Sequence, residues 1–238
     1  MKKILVTGST GRFGQVLKEF KTPNKMYYPS KKELNILDYK KILNYLDKVK
    51  PNYLIHLAGL SRPMAVHEKD IKKSIDLNII GTANITKACE KKNIKLIYFS
   101  THYVYAGIKG NYRENDPVNP VNNYAWSKLG GEASVKLYKN SLILRVCMTE
   151  KPFVHKRAFF DVKTNFLYHH DVVPLLFKVL DEKGVLNIGG KKQSIFNFAY
   201  RDNNKIKKIY STKVKNLAMP KNSTLNLLRI KRLLNKKK

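Results

Sequence analysis

The chain has 238 residues and a mass of 27.5 kDa, the size of one large domain or of one domain with a small appendage. With 43% hydrophobic and 11% aromatic residues it can bury a sizeable core, which excludes general disorder. Its 47 Lys+Arg against 17 Asp+Glu leave a net charge of +30, which raises nucleic acid or anionic small molecules as partners.

Taken in chain order, the first half alternates strand-like and helix-like segments. Lys3–Thr7 is a short apolar strand, glycines follow at once, and a helix runs from about Phe13 to Phe20. Lys25–Pro29 is a second strand. Asp38–Val49 is a helix with Ile42, Leu43, Leu46 and Val49 at helical spacing, ended by Pro51. Tyr53–Leu57 is a strand, Ser74–Lys91 a helix, Lys95–Phe99 a strand, Tyr124–Tyr138 a helix and Ser141–Val146 a strand. This alternation predicts βαβ units: a doubly wound parallel sheet with helices on both faces, and ligand sites at the carboxyl ends of the strands. After Arg145 the pattern weakens. Thr149–Asn165 reads as irregular, Val172–Asp181 as a helix, Val185–Ile188 as a strand and Thr224–Leu234 as a basic helix. Residues 1–148 are therefore expected to form a nucleotide-binding domain. Residues 149–238 are expected to form a reduced second region interleaved with it.

Two further readings bound the setting. No apolar run approaches the about 18 residues of a membrane span, and the N-terminal run stops at Thr7-Gly8, short of a secretion signal. Cys89 and Cys147 lack any CxxC or Cys/His spacing, so neither a disulfide framework nor a metal site is expected. A cytoplasmic location follows as the expectation. The charge is read mainly as composition bias, because 39 Lys and 22 Asn stand against only 2 Gln, the bias of AT-rich coding. A nucleic-acid partner is on that ground not expected. The exception is the last 40 residues, with 13 Lys+Arg and a single acid, Asp202.

The first chemical signal is Thr7-Gly8-Ser9-Thr10-Gly11-Arg12-Phe13-Gly14, directly after a strand and opening a helix. Gly8 permits the sharp turn, Gly11 lets a pyrophosphate approach the backbone, and Gly14 lets helix pack on strand. The helix start then offers amide groups to phosphates. The second strand ends near Ser30-Lys31-Lys32 without an acid for ribose hydroxyls, while Arg12, Ser30 and Lys31 suit a 2′-phosphate. NADP is therefore expected over NAD.

The second signal is Tyr124-Ala125-Trp126-Ser127-Lys128, with Ser100-Thr101 at an upstream strand end. Residues four apart share a helix face, and an ammonium beside a phenol lowers the phenol's pKa towards a useful range. The Thr101 hydroxyl suits a hydrogen bond to a substrate oxygen.

These residues resemble the extended short-chain dehydrogenase/reductases, most closely the dTDP-4-dehydrorhamnose reductase branch. Glu33-Leu34-Asn35-Ile36-Leu37-Asp38 is similar to that family's ELDITD segment, and Lys50–Gly59 to its RPDVVINAAA strand. Tyr98–Gly107 is similar to YSTDYVFDG. Tyr112-Arg113-Glu114-Asn115-Asp116-Pro117 through Lys128-Leu129-Gly130-Gly131-Glu132 is similar to YxExDxPxPxxxYGxSKLxGE. Met219–Leu225, followed by Lys231–Leu234, resembles the closing RPxNSxLDxxKLxxLL. The resemblance implies a Rossmann-type fold with a small substrate-binding part. It also implies hydride transfer from NAD(P)H to a keto carbon, with the proton from Tyr124, assistance from Lys128, and Thr101 on the same oxygen. By position, Gly11, Arg12 and Phe13 would flank the pyrophosphate, Asn35 and Ile36 the adenine, and Ala58 and Gly59 the adjoining ribose. Lys128 would hold the nicotinamide ribose.

The sequence also departs from the family. His102 stands where the family has Asp, and Asn35 where it has Asp. The family's WVYG appears as Val146-Cys147-Met148-Thr149, and the stretch before Tyr168 is short, in the substrate-binding half. His169-His170-Asp171 resembles a structural HVDD, not a metal site. The implied activity is reduction of a 4-keto-6-deoxy sugar carried on dTDP or another nucleoside diphosphate, as in polysaccharide biosynthesis. Alternatives are an epimerase or dehydratase of the same superfamily, or a non-catalytic NADP-binding regulatory subunit, a role the family is known to supply. Expected partners are a nucleotide-sugar and a second copy in a homodimer, with no membrane.

Overall fold

The computed structural model describes residues 1–214 and 218–236. Lys215, Lys237 and Lys238, counted above in the basic tail, lie outside the described residues. The strands are β1 (Lys3–Thr7), β2 (Lys25–Tyr27), β3 (Tyr53–His56), β4 (Lys95–Thr101), β5 (Ser141–Val146), β6 (Met148–Thr149), β7 (Arg157–Phe159), β8 (Lys163–Thr164), β9 (Leu167–Tyr168), β10 (Gly184–Ile188), β11 (Gln193–Ser194) and β12 (Lys207–Ile209). The α-helices are α1 (Arg12–Glu19), α2 (Tyr39–Val49), α3 (Ala65–Lys69), α4 (Ile71–Ser74), α5 (Gly81–Lys91), α6 (Asn123–Lys136), α7 (His169–Val179), α8 (Ile195–Tyr200) and α9 (Leu228–Lys236). A π-helical turn, Ile75–Ile80, joins α4 to α5.

The chain divides into two compact units. The first holds Met1–Ser100, Ser127–Leu144 and Leu180–Val185; the second holds Thr101–Trp126, Arg145–Val179 and Leu186–Lys238.

The main sheet has the order β10-β5-β4-β3-β1-β2, with β1 parallel to β2 and β3, and β3 parallel to β4. This is the doubly wound α/β sheet expected from the alternation. Its register explains its burial. Leu5, Leu54 and Leu96 form one cross-strand row, packed with Ile42 and Leu46 of α2 and Ile85, Ala88 and Cys89 of α5. The alternate positions Ile4, Val6, Ile55 and Ile97 point to the other face and are also fully buried, so both faces are covered. Helix α2 starts where the Asp38 carboxylate accepts from the Lys41 N–H, and ends at Lys50 in left-handed conformation just before Pro51.

The second unit is built differently. Its strands are two or three residues long and pair as β6–β9, β7–β12 (both parallel) and β8–β11 (antiparallel). Ala158, Val162, Ile195, Ala199 and Ile206 form its small core, ringed by Phe153, Phe159, Phe166 and Phe196. A buried polar network adds to it. The Arg145 guanidinium donates to the Tyr105 hydroxyl (2.8 Å) and the Glu114 carbonyl (3.1 Å), and Asn187 Nδ2 donates to the Tyr112 carbonyl (2.9 Å).

The segment read as irregular, Thr149–Asn165, thus contains β7 and β8. The helix expected over Thr224–Leu234 begins only at Leu228. Residues 224–226 have their backbone groups committed elsewhere: Thr224 O accepts from Tyr112 N–H, Leu225 N–H donates to Asn165 Oδ1, and Asn226 N–H donates to Tyr112 O. The second strand ends at Tyr27 rather than Pro29, and helical structure starts at Ile71 rather than Ser74.

Candidate active site

In the first unit, β1 delivers the chain to Gly8, which has φ +71°, and a side-chain carbon there would overlap the Ala58 backbone. Only glycine fits that position, so the glycine turn and the Ala58–Gly59 loop after β3 lie against each other. The Gly11 N–H donates to Gly8 O at 3.0 Å and closes the turn. Gly11 is also the N-cap of α1; no side chain caps it and the first turn holds no acid. An uncapped, positively polarised helix start of this kind is suited to a phosphate. A side-chain carbon at Gly14 would lie 2.7 Å from the Ser9 Cα, so the helix sits tight on the turn. Thr10 and Arg12 are exposed beside it. Phe13 turns its ring into the core against Phe99 (4.9 Å), so position 13 has its backbone, not its side chain, on the turn.

The other residues expected around a dinucleotide are placed as follows. The Ser30 N–H donates to Glu33 Oε2 at 2.8 Å, and its hydroxyl accepts from the Glu33 N–H. The strand-end reading passed over that carboxylate, and these hydrogen bonds hold the Glu33 pKa down. Asn35 Oδ1 accepts from Leu37 N–H, while Ile36 is buried and its carbonyl accepts from Asn84. Lys31 is exposed.

Behind the turn lies a polar chain that sequence reasoning did not single out. His56 Nδ1 meets Thr7 Oγ1 at 2.7 Å and its Nε2 meets Thr82 Oγ1 at 3.1 Å. Burial pushes the His56 pKa down to about 3, and the charge of Lys128 acts in the same direction. His56 is therefore neutral and near enough to Lys128 to feel it. Asn78, in the π-helical turn, was also missed. Its Oδ1 accepts from Leu60 N–H (2.7 Å), and its Nδ2 donates to Leu60 O and Ser127 Oγ (both 2.8 Å). It ties the loop carrying Ala58 and Gly59 to the residue before Lys128. The π-turn is the local signal, since such turns gather at functional positions, but it has no signature in residue spacing.

Lys128 sits on α6, four residues after Tyr124, with its ammonium 4.3 Å from the centre of the Tyr98 ring. Tyr98 Oη donates to the Lys128 carbonyl at 3.0 Å. Desolvation pushes the Lys128 pKa down to about 7, partly opposed by the Glu132 carboxylate. Glu132 is itself fixed by the Ser100 hydroxyl, 2.8 Å away. An anionic ligand close to such a lysine raises its pKa and restores its charge.

In the second unit, Thr101 is buried at the end of β4, and its Oγ1 accepts from the Tyr103 N–H (3.3 Å). Tyr124 is half-buried and meets Tyr103 edge to face, with ring centres 6.4 Å apart. His102 is buried: Nδ1 lies 3.3 Å from Val146 O, and Nε2 lies 3.4 Å from Thr164 Oγ1 and 3.7 Å from Cys147 Sγ. Desolvation holds it neutral, with a pKa of about 4.

With the geometry in place, similarity to known proteins decides the family. A family model described as RmlD substrate binding domain matches residues 1–153. The chain belongs to that family. Methionine adenosyltransferase 2 subunit beta of Danio rerio is 34% identical over 155 residues, covering 61% of this chain and 47% of that protein. A dTDP-4-dehydrorhamnose reductase of Aggregatibacter actinomycetemcomitans is 29% identical over 154 residues, covering 63% and 52%. The chain spans about half the length of the curated relatives it matches. Among solved structures, dTDP-4-dehydrorhamnose reductase of Bacillus anthracis in complex with NADP superposes with a TM-score of 0.86 at 22% identity. That match covers 98% of this chain and 91% of that one, and it establishes the Rossmann-like fold of this RmlD-family chain. Among the described residues no helix is long and apolar enough to cross a membrane.

Proposed function

We propose that this chain is an NAD(P)H-dependent reductase of a 4-keto-6-deoxy sugar carried on a nucleoside diphosphate. One observation carries the reading: the first unit joins an uncapped glycine turn to a desolvated Lys128, through Thr7, the neutral His56 stacked on Tyr98, and the Tyr98 ring under the Lys128 ammonium. The glycine turn fits a dinucleotide pyrophosphate, because side chains are excluded at Gly8 and Gly14 where the backbone must stay open. Gly8, Thr10, Gly11, Arg12 and the Phe13 backbone would hold it, with Ala58 and Gly59 alongside. Arg12 and Lys31 support NADP as the preferred form. When bound, the cofactor supplies a hydride.

The protein's own part is proton supply and orientation. The Tyr124 hydroxyl gives its proton to the keto oxygen as that oxygen becomes an alkoxide. The Lys128 ammonium favours the resulting phenolate, and the Thr101 hydroxyl donates a hydrogen bond to the same oxygen. Elimination or epimerisation needs a further acid or base; His102, buried with Nδ1 on Val146 O and Nε2 on Thr164 and Cys147 and with its pKa lowered to about 4, is a weak base whose ring nitrogens are engaged, which favours reduction.

The second reading is a cofactor-binding subunit of another enzyme. The relatedness to methionine adenosyltransferase 2 subunit beta favours it. The two readings separate in one assay: NADPH consumption with a panel of dTDP-, UDP- and GDP-linked 4-keto-6-deoxy sugars, repeated with NADH. The reductase reading expects turnover with at least one sugar and faster turnover with NADPH. NADPH binding without turnover of any sugar supports the subunit reading.

A further inference from the structure

The second unit contains a cavity of about 510 Å³, lined by Phe153–Arg157 on one side and by Asn203 and Lys205–Lys207 on the other. Its wall is the β7–β12 pair, where Lys207 stands in register with Arg157 and the Lys207 N–H donates to Lys156 O. Lys156, Arg157, Lys205 and Lys207 therefore converge on one concavity together with His155. Like charges side by side across a strand pair are destabilising, and the lining holds no carboxylate to offset them. Among the described residues none of these four cations forms a salt bridge. Asp202, next in sequence to Asn203, pairs with Arg201, and Asp161 with Ser211 and Lys221. The rest of the wall is apolar (Phe153, Val154 and Ile206) with one amide, Asn203.

We infer that this cavity binds a small molecule carrying at least two linked phosphates and a planar apolar body, that is, a nucleoside diphosphate or triphosphate. The four cations suit the phosphates, which bind guanidinium and ammonium groups by charge-assisted hydrogen bonds. Phe153, Val154 and Ile206 suit the base. The volume is that of a small-molecule site. A single-stranded nucleic acid fits less well, because it needs a groove that tracks several nucleotides, and this concavity is bounded by two short segments. The inference goes beyond the reductase reading, since none of the residues that reading uses, from the glycine turn to Thr101, Tyr124 and Lys128, lines this cavity.

The test is calorimetric titration of the full chain, saturated with NADPH so that the glycine turn is filled, using ADP, dTDP, pyrophosphate and orthophosphate at low salt. The expected order is nucleoside diphosphate tightest, then pyrophosphate, then orthophosphate. The exposed-site variant Lys156→Gln/Lys207→Gln should bind the diphosphates at least about tenfold more weakly, with NADPH affinity unchanged. Displacement of bound dTDP by a dTDP-sugar would identify the ligand as the carrier half of a sugar nucleotide; its absence would identify a free nucleotide. A readout that needs no variant is the Lys207 amide resonance, which should shift on adding pyrophosphate. The inference is overturned if the diphosphates do not bind, if the double variant binds them as the wild type does, or if only a single-stranded oligonucleotide binds.

Discussion

The two units reach stability by different routes. The first packs strands of three to seven residues in one register, with apolar rows on both faces, and its polar groups line up behind the glycine turn. The second has strands of two or three residues, and side chains such as Asn187, Asn165 and Arg145 hold its loops in place of a ladder. Repeated backbone pairing leaves a periodic trace in sequence. Loops held by individual side chains do not.

The sharpest way to test this division is to remove chemistry from one unit without disturbing the other. Tyr124→Phe deletes the proposed proton donor and keeps the ring. Turnover of the sugar nucleotide should fall by about 10²–10⁴-fold, with NADPH affinity unchanged, as read by steady-state kinetics and calorimetry.

Gly8→Ala strikes the first unit. The left-handed strain and the overlap with Ala58 should together cost about 2–4 kcal/mol and abolish NADPH binding. Denaturant titration and cofactor fluorescence measure the two effects. Asn187→Ala is its counterpart in the second unit. It removes one of two acceptors of the Tyr105 hydroxyl and the donor to the Tyr112 carbonyl, a loss of about 1–3 kcal/mol, yet it should leave NADPH affinity within twofold. Loss of NADPH binding in Asn187→Ala would break the comparison.

Much of the first unit was legible. The apolar positions of α2 and the strands follow periods that residue spacing reveals, and Gly8 through Gly14 announces its own turn. What was hidden there depends on contacts far apart in sequence: Asn78 reaching Leu60 and Ser127, His56 joining Thr7 to Thr82, and Glu33 folding back on Ser30. The Ile75–Ile80 turn was read as plain helix because its apolar spacing barely differs from α-helical spacing. In the second unit Lys207-Lys208-Ile209 forms a strand although two of its three residues are exposed lysines, because the Lys156 carbonyl accepts from Lys207 N–H and the Phe160 N–H donates to Ile209 O. Of the proposed catalytic residues, Thr101, Tyr124 and Lys128 were all named from sequence, but the desolvation of Lys128 is visible only in the fold.

Smaller effects follow from titration. The Lys128 pKa of about 7 lies below its ordinary 10.5, so between those values the unfolded chain binds the extra proton and stability rises with pH. Lys128→Met should flatten that rise and stabilise the protein at neutral pH, while removing turnover. On the acid side, His56 (about 3) and His102 (about 4) lie below the ordinary 6.5, one in each unit. Stability should therefore fall as pH drops below about 6.5. His102→Gln should remove part of that fall without weakening NADPH binding. Urea midpoints measured across pH 4–10 test both.

In the proposed reaction, Lys128 and Tyr124 serve a reduction that uses a dinucleotide held at the Gly8–Gly14 turn. The most direct measurement is loss of nicotinamide absorbance when the purified chain is mixed with NADPH and nucleotide-linked 4-keto-6-deoxy sugars, beside Tyr124→Phe. The wild type is expected to turn over at least one sugar and the variant almost none. NADPH bound by the wild type but consumed with no sugar, or consumed equally by both proteins, would contradict the proposed reaction.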